Sequence, residues 1–334
     1  MLSQVRNGHF ALKNTDLQTT QNTANNALEL AKPLIAGYAA NSKAKNTWRA
    51  YRADLRDFVD WCQANELQAL PALPGTVAAY LTYLAPHCKV STIKRRLSAI
   101  SQQHLVAGQD SPTLSPIVRI TMQGIRRTHA PLQTVRRVQP AVTSIIYKLV
   151  DQLGDTLIDK RDRALLLTGF AGAFRRSELT QLRVADITET EDGLRIRLRQ
   201  SKTDQEGEGL TKGIPYGAEH KTCPVRAWRD WKTAAGLDDG RAFRSITRHG
   251  KVGTSLSTQA VADVIKRRAR AAELDYAEYS GHSLRAGLIT AAAMANVPER
   301  VIAKQSGHKS LPVLRTYIRE GSLFTENAAA KVGL

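Results

Sequence analysis

Six side chains in the second half of the chain have the types that phosphodiester transfer without a metal ion requires. Such a reaction needs a nucleophile, cationic hydrogen-bond donors for the phosphorane-like transition state, and an acid for the departing 5′-oxygen. Arginine suits the second task because its planar guanidinium binds two phosphate oxygens and stays protonated. In chain order the candidates are Arg175, Lys202, His282, Arg285, His308 and Tyr317.

The local sequence places these candidates beside predicted helices and strands. Arg175 follows an apolar helix, and Lys202 lies where the strand at 194–199, with alternating apolar and basic residues, enters a turn. His282 and Arg285 are three residues apart at the start of a helix. Residues at that spacing lie on one helical face, so both side chains can contact one ligand.

Taken singly, the same residues have simpler explanations. A tyrosine such as Tyr317 on an amphipathic helix usually belongs to a core or its rim, and a lone histidine is usually structural. Glu178, three residues after Arg175, could be a carboxylate on a helix surface. Arg176 is adjacent and competes with Arg175 for the same task. Only the ordered set is specific.

The elements that must position these residues are mainly helical. Trp48, Tyr51, Leu55, Phe58 and Cys62 recur at helical spacing near the N-terminal end. The predicted divisions are a flexible tail at 1–39, an all-α domain at 40–128, a linker at 129–140, and a mixed α/β domain with a C-terminal tail at 141–334. In the last domain, helices are predicted to begin near Pro224, Ser257, Ser283, Pro298 and Leu311, and a return strand is predicted at 212–215.

The charge of the chain favours a polyanionic partner. The sequence has 48 Lys and Arg residues against 30 Asp and Glu, a net charge of +18, which suits phosphate contacts and counterion release. A lineage with basic proteins or an anionic membrane surface would also explain it. No stretch of about 18 apolar residues could span a membrane. The three cysteines show no metal-binding spacing, so we expect reduced thiols, no zinc site and an intracellular protein.

The ordered motifs resemble those of the tyrosine recombinases (phage integrases), particularly the two-domain, Cre-like members. The family pattern is Arg-x-x-Glu-Leu, a lysine in a β-hairpin, His-x-x-Arg, Gly-His and a C-terminal Tyr. This sequence has Arg-Arg-Ser-Glu-Leu at 175–179, Ser-Lys-Thr at 201–203, His-Ser-Leu-Arg at 282–285, Gly-His at 307–308 and Tyr317. The resemblance covers residues 40–325. Ala173 departs from the pattern, since a glycine is common two residues before the first arginine.

The resemblance implies a covalent mechanism without ATP or a cofactor. Tyr317 would attack the scissile phosphate and leave a 3′-phosphotyrosine and a free 5′-hydroxyl. His282 would assist proton transfer from Tyr317, and Lys202 would protonate the leaving 5′-oxygen.

The resemblance also assigns the phosphate-binding residues. Arg175 and Arg285 would hold the non-bridging oxygens, and His308 would hydrogen-bond the phosphate. Glu178 would orient its neighbours without reacting.

Residues that contact DNA are predicted in both domains. In Cre-like relatives the helix at 255–272 enters the major groove, so Gln259 near its start is a candidate for contact with base edges. The other candidates are cationic and would mostly contact phosphates, which gives affinity without sequence information. They are Lys43, Lys45, Lys94, Arg95 and Arg96 in the first domain, and Lys266, Arg267, Arg268 and Arg270 in the second.

The resemblance implies a C-shaped clamp on duplex DNA, mainly α with a small β-sheet. The expected partners are DNA with an inverted-repeat site and further copies of the chain, a dimer on one site and a tetramer in the synapse. A bacterial or phage-encoded protein of the cytoplasm is expected. A type IB topoisomerase-like enzyme and a non-catalytic DNA-binding regulator are the alternatives. The segment at 322–334 would pack on a neighbouring protomer or on its own domain.

Overall fold

The computed structural model describes residues 37–38, 42–133, 138–199, 209–308 and 310–321. The chain divides into two units, Met1–Val135 and Arg136–Leu334, and this division falls within the segment interpreted as a linker. Lys202, the C-terminal segment 322–334 and most of the predicted N-terminal tail lie outside the described residues.

The described part of the first unit is all helical. Phe58 and Cys62, spaced one turn apart on the first helix, are both buried, as their periodicity predicts. The second and fourth helices begin with Pro74 and Pro116, residues suited to a first turn because no amide hydrogen needs a partner there. The helices are α1 (Lys45–Ala64), α2 (Pro74–Leu84), α3 (Val90–Val106) and α4 (Pro116–His129).

The second unit combines helices with one small sheet. Its helices are α5 (Thr143–Asp151), α6 (Leu157–Ala171), α7 (Arg176–Gln181), α8 (Pro224–Ala234), α9 (Thr258–Ala271), α10 (Ser283–Met294), α11 (Glu299–Ser306) and α12 (Leu311–Gly321). The predicted helix starts in the second half of the chain are confirmed to within one residue. Thr156 caps α6 by accepting the Asp159 amide hydrogen bond at 3.2 Å.

The sheet has three antiparallel strands in the order β1 (Ile187–Thr190), β2 (Gly193–Leu198) and β3 (Leu210–Pro215). The predicted alternation on β2 is confirmed, because Leu194, Ile196 and Leu198 are buried while the arginines between them are exposed. Lys212 on β3 pairs with Ile196. A lysine therefore lies on the apolar face of the sheet, among residues of the core.

Two close approaches fix the helices that carry the candidate residues. At Gly287 on α10, a Cβ atom would lie 2.1 Å from the Ala141 carbonyl oxygen, so only glycine allows this contact. Helix α12 packs on α10 through a small cluster that includes Ile289, Ile302 and the fully buried Leu314. This packing sets the position of Tyr317 relative to His282 and Arg285.

Candidate active site

The loop before Arg175 is the C-terminal cap of helix α6. The Phe174 amide donates to the Gly169 carbonyl at 3.0 Å, and the Ala173 amide donates to the Phe170 carbonyl at 2.9 Å. These two bonds define a Schellman motif, in which the residue after the cap adopts a left-handed conformation. Ala173 occupies that position with φ of 46°. The departure at Ala173 noted in the sequence thus falls where glycine is normally favoured.

Glu178 orients Arg175. The Arg175 backbone amide donates to Glu178 Oε2 at 2.9 Å, and its Nη1 donates to Oε1 at 2.5 Å. Glu178 is only 4% exposed, so a buried carboxylate holds both the backbone amide and the guanidinium group of Arg175. Arg176 is exposed and packs against Gly281 instead. Arg175, rather than Arg176, therefore has the geometry of a positioned phosphate ligand.

Arg285 is almost fully buried, with 1% of its surface exposed. Its Nη1 donates to the Ala173 carbonyl at 2.7 Å, and its Nη2 lies 3.3 Å from both ring nitrogens of His308. Burial, with Arg175 acting in the same direction, lowers the pKa of Arg285 to about 10. The guanidinium remains protonated at neutral pH and keeps its positive charge in the site.

Tyr317 and His282 are in direct contact. The Tyr317 hydroxyl lies 2.7 Å from His282 Nε2, within the range of a nucleophile and its general base. His282 is the residue immediately before α10, and Tyr317 is partly buried on α12. Packing of α12 on α10 therefore brings together two residues that are 35 positions apart.

His308 completes the group beside Tyr317. Helix α11 ends at Gly307 in a left-handed conformation with φ of 68°, which returns the chain toward the site. The Ser306 hydroxyl lies 2.7 Å from His308 Nδ1. The ring of His308 lies 6.5 Å from that of Tyr317. The structure thus brings together five of the six predicted catalytic residues and Glu178.

Both imidazoles are neutral near pH 7. Burial lowers the pKa of His282 below its ordinary value, and Arg285, Arg175 and Arg176 lower it further. Burial, followed by the same Arg285 and Arg175, lowers the pKa of His308 to about 4. A neutral His282 can accept the hydroxyl proton of Tyr317, as a general base must.

The lysine that the structure describes near the arginines is Lys212, which the sequence analysis did not single out. Its side chain is 3% exposed, and Nζ donates to the Gly172 carbonyl at 2.6 Å. Burial lowers the pKa of Lys212 to about 7; Arg285 and Arg175 act in the same direction and Glu178 opposes them. The available signal was its register: alternation along β3 puts Lys212 on the same face as the buried Ile214.

Helix α9 is the helix predicted to enter the major groove, and its cationic side chains differ in burial and in partners. Arg268 is largely buried and bonds to Asp159 and Asp162, so its guanidinium belongs to an internal network. Arg267 is half exposed and also donates to Asp162, at 2.7 Å. Arg270 is exposed and stacks 4.1 Å above the ring of Tyr276. Lys266 is partly exposed.

Gln259 lies exposed in the first turn of α9, and its amide nitrogen donates to Asp263 Oδ1 at 2.9 Å. This contact uses only the donor group of the amide. Ser257 caps the helix by accepting the Ala260 amide hydrogen bond at 3.0 Å.

The cations predicted in the first unit also differ in environment. Lys45 and Lys94 are exposed and Lys43 is partly exposed. Arg95 donates twice to the buried Asp54, with Nε to Oδ2 at 2.8 Å and Nη2 to Oδ1 at 2.9 Å, yet remains 48% exposed. Arg96 is mostly buried and bonds to Asp57 and Tyr80. Arg95 and Arg96 thus connect α3 to α1 and α2.

The described ranges contain neither a metal-binding cluster nor a membrane-spanning helix. No group of three or more His, Cys, Asp or Glu side chains there has the arrangement of a metal site. Of the helices in those ranges, none is both long and apolar enough to cross a membrane.

Two matches to known families cover most of the chain. Residues 142–322 match the phage integrase family. Residues 38–106 match the phage integrase N-terminal SAM-like domain. The first match contains all six residues of the predicted catalytic set.

Individual relatives agree with these matches. The chain is 40% identical over 292 residues to the integrase/recombinase xerD homolog of Selenomonas ruminantium, covering 86% of this chain and 85% of that protein. It is 27% identical over 292 residues to recombinase cre of Escherichia phage P1, covering 83% and 84%. The fold is similar to that of a lambda integrase tetramer bound to a Holliday junction, with a TM-score of 0.54, 15% identity, and coverage of 87% and 75%.

Proposed function

We propose that this chain, which belongs to the phage integrase family and is a tyrosine recombinase, cleaves and rejoins DNA strands at specific sites with Tyr317 as its nucleophile. The observation that carries the assignment is the 2.7 Å contact between the Tyr317 hydroxyl and His282 Nε2, beside two positioned arginines.

The proposed reaction is an in-line exchange of one oxygen–phosphorus bond for another. His282 accepts the proton of the Tyr317 hydroxyl as the phenolic oxygen attacks the phosphorus. The bond from phosphorus to the 5′-oxygen breaks, which leaves a 3′-phosphotyrosine. The 5′-oxygen takes a proton from Lys202, the residue to which the family resemblance assigns this step. Attack by another 5′-hydroxyl reverses the sequence, so rejoining needs no ATP.

Positive charge for the transition state comes from the arginines. We assign the non-bridging oxygens to Arg175 and Arg285, because Glu178 and the Ala173 carbonyl already fix the directions of these guanidinium groups. Donors that are positioned before the reaction stabilise developing charge without reorganisation. His308, held by Ser306, adds a hydrogen bond to the phosphate.

We propose that both units bind the same duplex. In the second unit, α9 contacts the major groove through Gln259, while Lys266, Arg267 and Arg270 contact phosphates. Arg268 supports the helix from inside, through Asp159 and Asp162. In the first unit Lys43, Lys45 and Lys94 contact phosphates, and Arg95 does so with the part of its guanidinium that Asp54 leaves exposed.

The proposed assembly is a dimer on an inverted-repeat site and a tetramer when two sites are paired. The proposed domains are 40–128 and 141–334, joined by the linker at 129–140. The solved lambda integrase tetramer supports this assembly by likeness of fold. The proposed place of action is the cytoplasm of a bacterium. Exchange between two sites on separate DNA molecules would distinguish a recombinase from an enzyme that only relaxes supercoils.

The test is covalent capture on a nicked suicide substrate that carries the recombination site. Wild-type protein should form an adduct that survives a denaturing gel. Tyr317→Phe should bind the same DNA with unchanged affinity and form none, because it lacks the attacking oxygen. Tyr147→Phe, a change at an exposed tyrosine of the same unit, is the matched control and should react normally. An adduct formed by Tyr317→Phe would remove Tyr317 from the mechanism.

A further inference from the structure

All six successive backbone carbonyls from 168 to 173 have hydrogen-bond donors, although the helix ends within this stretch. The last carbonyls of a helix have no intrahelical partner and must find one elsewhere when buried. Backbone amides of the Schellman motif serve the carbonyls at 168, 169 and 170. The carbonyls at 171, 172 and 173 have side-chain donors instead.

These three donors come from three different elements. Gln305 Nε2, on α11, donates to the Ala171 carbonyl at 2.7 Å. Lys212 Nζ, on β3, donates to the Gly172 carbonyl at 2.6 Å. Arg285 Nη1, on α10, donates to the Ala173 carbonyl at 2.7 Å. Gln305 also donates to the Gly213 carbonyl at 3.2 Å, which ties α11 to the strand that carries Lys212.

The loop needs such support because its backbone is unfavourable for the residue present. Ala173 holds a φ of 46°, a conformation that costs a non-glycine residue free energy and persists only where the surroundings over-determine it. Arg175 follows Ala173 by two residues, and the Arg285 guanidinium donates a hydrogen bond to the Ala173 carbonyl. The loop conformation therefore sets the positions of both candidate phosphate ligands.

Lys212 is an unusual residue to hold a backbone carbonyl. Its Nζ lies 4.8 Å from the centre of the Phe174 ring, and the side chain is 3% exposed. Taking an ammonium group out of water costs free energy, and an apolar residue of similar volume often serves stability equally well or better. The lowered pKa of Lys212 reflects that cost. The lysine is therefore better explained by its hydrogen bond to the Gly172 carbonyl than by a contribution to the stability of the core.

We propose that Lys212 and Gln305 are positioning residues that hold the Gly172–Ala173 turn and, through it, Arg175 and Arg285 in the arrangement that binds the scissile phosphate. The expected effect on strand cleavage rests on the proposed function, whereas the stabilisation of the turn does not. It also connects the hairpin of β2 and β3 to the phosphate ligands. The ligand that Arg175 and Arg285 would bind is a phosphodiester.

The first experiment compares Lys212→Met, Gln305→Leu and the control Lys221→Met in the full-length protein. Lys221 is exposed and pairs only with Asp151 at the surface in the described contacts. Lys212→Met should lower single-turnover adduct formation about 10- to 100-fold, since small displacements of positioned groups have effects of that size. DNA affinity should be unchanged and the melting temperature unchanged or higher. Gln305→Leu should lower adduct formation in the same way, and Lys221→Met should match wild type.

A second substrate distinguishes positioning from proton donation. On DNA with a 5′-bridging phosphorothiolate the sulfur leaves without a proton, so loss of a general acid is restored. Lys202→Ala should recover on this substrate, whereas Lys212→Met should be slowed equally on both. Preferential recovery of Lys212→Met would make Lys212 the general acid and overturn the positioning role. Wild-type adduct formation by Lys212→Met would overturn it as well.

Hydrogen exchange tests the structural step without DNA. The amides of residues 172–174, bonded to carbonyls of α6, should exchange faster in Lys212→Met and in Gln305→Leu than in wild type or Lys221→Met. Unchanged exchange in both variants would contradict the inference. If wild-type protein formed no adduct on any substrate, the proposed function would fail, and the exchange result would still decide whether these residues hold the turn.

Discussion

Two histidines in one small site have different surroundings and therefore different tasks. His282 contacts the Tyr317 hydroxyl and lies at the solvent-exposed side of the site. His308 is bonded to Ser306 and lies against Arg285. Burial, together with the nearby guanidinium groups, lowers the pKa of both rings and keeps them neutral, so the positive charge of the site is carried by arginine. This division gives His282 the lone pair that a base needs.

The state of His282 predicts how cleavage depends on pH. Its folded-state pKa lies below 6.5, so the neutral base should persist somewhat below that pH and be lost as the pH falls through the lowered value. Single-turnover cleavage in wild type should therefore decline on the acid side with an apparent pKa below 6.5. His282→Gln should be slow and lose this limb.

His308→Trp is the matched control, because it changes the other histidine of the site and leaves His282 in place. It should keep the acid limb, since the pKa of His308 is about 4 and the ring is already neutral over most of the range. An acid limb that is unchanged in His282→Gln would show that another group accepts the proton.

At the scale of elements, the turn between α6 and α7 has a backbone conformation that is unfavourable for the residue it contains. A Schellman motif favours glycine at its left-handed position, and this chain has the buried Ala173 there. The motif still forms because three side chains from β3, α10 and α11 hold its carbonyls. The local sequence disfavours this turn, because alanine is strained in the left-handed conformation. The tertiary contacts stabilise it.

Ala173→Gly should therefore stabilise the second unit. Glycine removes the left-handed strain, partly offset by its greater freedom when unfolded, and we expect a net gain of about 0.5–1 kcal/mol. Calorimetry of the full-length protein would measure it as a higher melting temperature. The control is Gly307→Ala, which should lower stability because Gly307 also has a positive φ, 68°. A lower melting temperature for Ala173→Gly would contradict the strain argument.

Helix α9 gives a prediction about sequence preference. Gln259 lies in its first turn, where recognition helices usually contact base edges, and a glutamine amide matches the N6 and N7 groups of adenine. We expect an A·T pair at this position of the site. Gln259→Arg should shift the preference toward G·C by about 1–3 kcal/mol, as measured by selection from a randomised library at one salt concentration.

The contact with Asp263 supplies the control for that selection. Asp263→Ala frees the Gln259 amide nitrogen without changing the amide, so its preference should remain A·T. Identical preferences for wild type and Gln259→Arg at every position would mean that Gln259 contacts only backbone or solvent.

At the scale of the whole molecule, the proposed mechanism relies on positive charge where many phosphotransfer sites use metal ions. The chain has a net charge of +18, and its candidate site holds Arg175 and Arg285 in fixed directions. Guanidinium groups can stabilise the transition state in the way that divalent cations do elsewhere. The charge spread over both units serves affinity for DNA, which falls as salt rises.

Cleavage should therefore proceed at nearly the same rate in excess EDTA. The measurement is adduct formation on the nicked substrate after extensive chelation, at constant ionic strength so that DNA affinity does not change. A complete loss of cleavage that added magnesium restored would contradict the proposed role of the two arginines.

Much of this protein follows from the sequence by itself. The helical repeat of Phe58 and Cys62 and the alternation of Leu194, Ile196 and Leu198 identify helix and strand, because one face of each must be buried. The ordered set of side chains from Arg175 to Tyr317 identifies the chemistry, because few residue types can bind phosphate and attack it. These are local patterns and residue types, which a sequence records directly.

Only the tertiary structure showed which cations lie together at the candidate site and which pair with buried carboxylates inside the fold. Lys212 and Gln305 contact the turn before Arg175 across 40 and 134 positions of sequence, and Arg268 pairs with Asp162 across 106. Helical and strand periodicity place Arg268 and Lys212 on inward faces, but periodicity does not identify the groups that they contact there. The difference arises from burial and partners, which exist only after distant segments pack together.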